Sequence, residues 1–203
     1  MPESRLAAQL DFILEVGKLK HVLRRSYLPH GSRRENDAEH SWHLALMAVV
    51  LAEHAAEPVD PARVVLMLLV HDLVEIDAGD TFMYDAEAQA DKASREERAA
   101  DRIFALLPPD QARRWRALWD EFEARRSPDA RFAAAIDRLQ PQLLNYHTQG
   151  RLWREHAVTV DQVIARNQHM ADGAPALWHY ARRLLRDAVA RGYLRPAATD
   201  SGD

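Results

Sequence analysis

The sequence predicts a single all-α domain, and three observations carry that expectation. Apolar residues recur at helical spacing through most of the chain. Proline and glycine are sparse inside those periodic segments. No Asn-Gly or Asp-Gly pair lies between two alternating apolar runs, so hairpins are not expected.

Taken in order, a first helix is expected over Leu6 to Lys20, offering Leu10, Ile13, Leu14 and Leu19 to the core. A polar, arginine-rich loop follows from Arg24 to Glu35. The second helix begins at Asn36 or Asp37, either of which can cap it, and runs to His54. Asp60-Pro61, a cap followed by a first-turn proline, announces the third. It extends through the apolar run Val64 to Val70 toward Glu75. Ile76 to Asp91 reads as a long loop, of the kind that is often functional in a compact domain. Further helices are expected over Lys92 to Leu107, Asp110 to Arg125, Pro128 to Tyr146, Val160 to His169 and Ala174 to Arg191. One domain over residues 1–195 and a disordered tail over 196–203 complete the expected organisation.

Bulk composition removes several classes of function. With 27 Lys and Arg against 31 Asp and Glu, the net charge is -4, so no general attraction to nucleic acid or an anionic membrane is implied. There is no cysteine, which excludes disulfides, thiolate metal sites and a cysteine nucleophile. A metal must then be held by His, Asp, Glu, backbone or water. The start, Met-Pro-Glu-Ser-Arg, lacks a signal-peptide apolar region, and Val64 to Val70 is far too short to span a bilayer. A cytoplasmic location is the expectation.

Chemistry concentrates at His71-Asp72, which ends the most apolar predicted helix. An imidazole and a carboxylate beside a buried segment need partners, and a metal ion is one. His40 stands early in the preceding predicted helix, within Glu39-His40-Ser41-Trp42-His43. Two antiparallel helices joined by a short loop bring the start of one near the end of the next, so His40 and His71 are compatible ligands of one ion. Hydrogen-bonded core histidines are the bland alternative.

The pattern His40, His71-Asp72, Asp137 resembles the signature of the HD-domain superfamily of metal-dependent phosphohydrolases, and specifically its 5'-deoxynucleotidase branch. The segments that carry the resemblance are Leu19-Lys20 with Arg24, Glu35 to Ser41, His71 to Asp80, Lys92 to Ala99, Leu106 to Pro108, and Arg131 to Asp137. It implies that His40, His71, Asp72 and Asp137 hold a divalent cation, Mn, Co, Fe or Mg. It also implies that Glu75 and Asp80 border the attacking water, and that Arg24 contacts the substrate phosphate. Asp77 ranks below Asp80, because the Gly79-Asp80 pair matches the family. Arg33 and Arg34 read as solvated loop charges, with phosphate ligation as the alternative. The family residue after the Arg24 position is often aromatic, whereas here it is Arg25.

No histidine lies between His71 and His147, so the site that the family's cyclic-nucleotide phosphodiesterases and di-iron oxygenases build with extra histidines in that interval cannot be built. The expected reaction is release of phosphate from a deoxyribonucleoside 5'-monophosphate by a homodimer, as the resemblance implies. A phosphodiesterase or nucleoside-triphosphate hydrolase on the same site is the enzymatic alternative. A metal-stabilised nucleotide sensor is the non-enzymatic one, and it has no need of Glu75 and Asp80.

Overall fold

The computed structural model describes residues 2–29 and 33–197. Its elements are α1 (Pro2–Val16), β1 (Leu23–Tyr27), β2 (Arg34–Asn36), α2 (Asp37–Leu51), α3 (Pro61–Val70), α4 (Glu75–Ala78), α5 (Ala86–Ala90), α6 (Lys92–Phe104), α7 (Pro109–Ala124), α8 (Pro128–His147), α9 (Arg151–Glu155), α10 (Val160–Asn167), α11 (Met170–Gly173) and α12 (Pro175–Ala190). The expected all-α architecture is present, with one small departure.

That departure is the segment expected to be a loop from Arg24 to Glu35. β1 and β2 pair antiparallel there, Leu23 opposite Asn36 and Tyr27 opposite Arg34. A hairpin was not expected because its connection is not a tight Asn-Gly or Asp-Gly turn. Leu28 N–H donates to the Arg33 carbonyl at 3.0 Å, so the turn is longer than two residues. Tertiary burial holds the strands, with Ser26 and Glu35 both facing inward.

Helix boundaries follow their caps. Asn36 and Glu39 form a reciprocal capping box at the start of α2, as the sequence suggested. Asp60 accepts from the N–H groups of Ala62 and Arg63, and Pro61 follows as the first helical residue of α3. Ser127 and Pro128 do the same for α8. The third helix ends at Val70 rather than Glu75, in tight i to i−3 turns from which α4 starts. The loop expected over 76–91 thus contains most of α4 and all of α5.

The first helix needs a larger correction. It stops at Val16 and continues as a 3₁₀ turn over Gly17–His21. Leu19 is buried, but Leu10, Ile13 and Leu14 are exposed by 50, 60 and 74 %. Phe12 and Val16 are the residues of α1 that meet the core. A sequence shows that a helix has an apolar face but not which face the rest of the chain covers.

The main core joins side chains of α2, α3, α6, α7 and α8, with α3 packed against both α2 and α8. Gly173 permits a close approach of α11 to α8, since a Cβ there would lie 2.1 Å from the Arg131 carbonyl oxygen. A second cluster around Trp153, Val163 and Leu185 packs the last helices together. Of the tail expected over 196–203, residues 198–203 lie outside the described residues.

Candidate metal centre

Three elements converge on one buried point. The first turn of α2 supplies Asp37 and His40, the turn after α3 supplies His71 and Asp72, and the middle of α8 supplies Asp137. His40 Nε2 lies 3.1 Å from Asp137 Oδ1 and 3.8 Å from Asp72 Oδ2. His71 Nε2 lies 3.1 Å from Asp72 Oδ2 and 3.7 Å from Asp137 Oδ1. The four residues singled out from the sequence therefore meet.

Both imidazoles have the same polarity. His71 Nδ1 is 2.8 Å from the Leu68 carbonyl, an acceptor that fixes the proton on Nδ1. His40 Nδ1 is 3.1 Å from Gln140 Oε1, which fixes the tautomer likewise once the amide donates its Nε2 to Glu35 Oε1 at 2.6 Å. Each Nε2 is left with its lone pair turned toward the carboxylates. A lone pair facing an anion is unfavourable unless something cationic sits between them. His71 Nε2 is buried and makes no hydrogen bond among the described residues.

Charge states the same demand. Burial disfavours the charged form of His71, yet Asp72 and Asp137 outweigh it and raise its pKa to about 10. Burial pushes Asp137 up, but Arg138, His40 and His71 together hold it well below the carboxylate range. Burial followed by repulsion from Asp72 raises Asp37 to about 6, against the pull of Arg24. The pocket collects more anion than its own side chains neutralise. With nothing else available it draws a proton onto His71; a divalent cation meets the same need, and two imidazoles with two carboxylates form a donor set for one. His40, His71 and Asp72 offer ligand atoms all within 4.8 Å of one another.

Glu75 stands beside this cluster. Its carboxylate, with those of Asp37 and Asp72, forms a second group within 4.8 Å, and its Oε2 is buried without a hydrogen-bond partner among the described residues. Burial, then Asp72 and Asp37, raise its pKa well above the usual range. Asp80 lines a cleft of about 100 Å³ with Arg24, Arg25, Phe82 and Arg138. Asp77 points elsewhere and pairs with Arg102 on the surface.

Arg24 occupies a different position from the free phosphate ligand expected of it. Its Nη1 donates to Asp72 Oδ2 at 2.7 Å and to Asp37 Oδ1 at 3.0 Å, while Nε faces Glu35 Oε2 at 3.9 Å. Arg33 is exposed and grips Glu39 with both Nη atoms. Sequence reasoning assigned Glu35, Asp37 and Gln140 no role at the metal centre. Gln140 lies three residues beyond Asp137, on the same helical face, which was the available signal.

The model of the HD domain matches residues 16–178. The chain belongs to the HD-domain family. Human 5'-deoxynucleotidase HDDC2 is 33 % identical over 132 residues, which make up 64 % of this HD protein and 63 % of the human one. The fission-yeast 5'-deoxynucleotidase hdd1 is 25 % identical over 64 % of this chain and 67 % of its own. The matched stretch is thus just under two thirds of the human protein's length. A crystal structure of a protein from Magnetospirillum magnetotacticum MS-1, called a predicted metal-dependent phosphohydrolase, is 56 % identical. It superposes with a TM-score of 0.92 over 97 % of this chain and 98 % of that one. A conserved hypothetical protein from Pyrococcus furiosus, 19 % identical with a TM-score of 0.58, shares the HD fold. No helix among the described residues is long and apolar enough to cross a membrane.

Proposed function

We propose that this HD protein is a metal-dependent phosphohydrolase that releases phosphate from deoxyribonucleoside 5'-monophosphates. The observation that carries the reading is the meeting of two Nε2 lone pairs and two carboxylates, bordered by an acid with an unpaired oxygen, Glu75 Oε2. The human and fission-yeast 5'-deoxynucleotidases supply the substrate class.

His40, His71, Asp72 and Asp137 hold the cation, one of Mn²⁺, Fe²⁺, Co²⁺ or Mg²⁺. When bound, such an ion polarises a phosphoryl oxygen and makes a neighbouring water more acidic. The protein's own groups do the rest. Glu75 Oε2 accepts a proton from the attacking water as its oxygen bonds to phosphorus. The bond from phosphorus to the sugar oxygen breaks, that oxygen takes up a proton from solvent while Glu75 releases its own to water, and phosphate and nucleoside leave. Asp80 orients the water from the cleft side. Arg24 holds Asp72 and Asp37 in place and brings positive charge to the phosphate side of the cleft.

The same reading makes the protein a homodimer. α1 exposes Leu6, Leu10, Ile13 and Leu14, and α2 exposes Trp42, Leu46, Val49 and Val50. Both sets follow the spacing i, i+4, i+7, i+8, one stripe on each helix. Each stripe is an uncovered apolar face of the kind that a second copy can bury. Trp42→Glu should convert the dimer to a monomer in sedimentation; a wild-type protein that sediments as a monomer overturns this part.

Phosphate release from a panel of ribo- and deoxyribonucleoside monophosphates, each tested with each divalent metal, tests the activity. Release from the deoxy series is expected. Release of pyrophosphate or triphosphate from the corresponding nucleoside triphosphates, with no phosphate released from the monophosphates, would favour a nucleoside-triphosphate hydrolase.

A further inference from the structure

On the Asp137 side of the metal centre lies a second, larger cavity of about 430 Å³. Arg125, Arg138, Arg166 and His169 line it, together with Lys92, Glu96, Glu123 and Thr81. It shares Thr81, Met83 and Arg138 with the smaller cleft that holds Arg24 and Asp80, so the two clefts meet at a common wall.

Three nitrogen atoms lining this cavity, Arg125 Nε, Arg138 Nε and His169 Nε2, are buried and have no hydrogen-bond partner among the described residues. Three such atoms in one cavity are costly, because a buried donor without an acceptor keeps its desolvation penalty. The acids nearby do not answer them. Glu96 is taken by Lys92, and Glu123 is exposed. Asp137 Oδ2 reaches Arg138 Nε only at 3.6 Å, beyond hydrogen-bond distance, while its Oδ1 faces His40 Nε2. Arg125 and Arg138 also work against each other. Burial and then Arg138 lower the pKa of Arg125, and burial followed by both arginines lowers His169 to about 4. An anion between them relieves that repulsion.

Backbone geometry points the same way. Arg125 ends α7 in the left-handed region, at φ 50° and ψ 36°. Glycine or asparagine occupies that conformation at lower cost. An arginine there sacrifices some stability and places a guanidinium in the cavity.

We propose that Arg125, Arg138 and His169 form a phosphate-binding site beside Asp137. It takes either the phosphoryl group of the substrate or the inorganic phosphate that leaves. The first of these rests on the phosphohydrolase reading above; binding of phosphate itself does not. Arg24 cannot serve the same purpose alone, since Asp72, Asp37 and Glu35 already surround it.

The test uses the metal-loaded protein and inorganic phosphate as the probe. Arg125→Asn suits the left-handed cap and removes the guanidinium with little strain, so the variant should fold. Arg138→Gln and His169→Ala complete the set, with melting temperatures as the control for folding. Calorimetric titration should show phosphate binding to the wild type, weakened roughly 10–100-fold in Arg125→Asn and Arg138→Gln. Where the substrate's phosphoryl group uses the site, kcat/KM for a monophosphate falls by a similar factor. Where only the product does, KM is unchanged and the inhibition constant for phosphate rises alone. Phosphate binding lost in the variants of a protein that hydrolyses no monophosphate would retain this site and remove the nucleotidase reading. Unchanged phosphate affinity in all three folded variants would overturn the proposal.

Discussion

Gln140→Leu isolates the contribution of a residue that touches no substrate. The Gln140 side chain is fully buried and bridges His40 Nδ1 at 3.1 Å to Glu35 Oε1 at 2.6 Å. Leucine is similar in size, so little cavity forms and the change is one of polarity. It leaves the His40 Nδ1–H without its acceptor and Glu35 without a donor. A buried unsatisfied group costs about 1–3 kcal/mol, and a charged one more, so unfolding stability should fall by roughly 2–4 kcal/mol. Loss of the bond that orients a metal-binding imidazole typically weakens metal affinity 10–100-fold, equivalent to about 1.4–2.7 kcal/mol. Urea unfolding of chelator-treated protein measures the first quantity, and competition titration with a coloured chelator the second. Gln140→Glu keeps an acceptor for His40 but sets a carboxyl against Glu35. It should retain metal affinity to within several-fold while losing stability. A folded Gln140→Leu protein with wild-type metal affinity would refute the argument that Gln140 fixes the His40 tautomer.

Four further outcomes are expected. His71→Ala and Asp72→Ala should each lose bound metal and turnover together; elemental analysis showing full occupancy would remove them from the ligand set. Glu75→Ala should keep the principal metal yet lose most turnover, because the proposed function makes Glu75 the proton acceptor and not a ligand; undiminished kcat would exclude it. Arg24→Ala should lower kcat/KM by roughly 30–200-fold, or about 2–3 kcal/mol, and should also weaken metal binding because Asp72 loses its clamp. Arg33→Ala, whose partner Glu39 is on the surface, should change kcat/KM by less than about twofold, and steady-state kinetics compares the two.

Much of this site was legible because its chemistry is local and its residue types are unusual. His71-Asp72 after a very apolar helix had to be satisfied by something, and a capping residue and an early His40 marked the helix that comes to meet it. Asp137, an ordinary-looking helical acid, was reachable only through the family pattern. The environment of Arg24 was not legible. Whether a guanidinium faces solvent or three buried acids depends on the β1–β2 pairing, and nothing as short as an Asn-Gly turn announced that pairing. The inward and outward faces of α1 failed for a related reason. Periodicity names a stripe, but only the arrangement of the other helices determines whether Leu10 and Leu14 or Phe12 and Val16 are covered. The unpaired donors of Arg125, Arg138 and His169 come from three separate elements, and no spacing in the chain links them.

The separation of the ligands along the chain has its own consequence. His40 and Asp137 meet across 97 residues, with His71 and Asp72 between them. A cation held by all four acts as a reversible cross-link through the middle of the domain, closing loops that the unfolded chain would otherwise keep open. At a free concentration one hundred times its dissociation constant it adds about 2.7 kcal/mol to folding. That increment should be felt wherever α8 must part from α2 and α3 before the backbone can exchange with water. Amide protons in the centres of these helices, far from any substrate, should then exchange at rates governed by the concentration of free metal. Those of the outer, second cluster around Trp153 should be less sensitive to it.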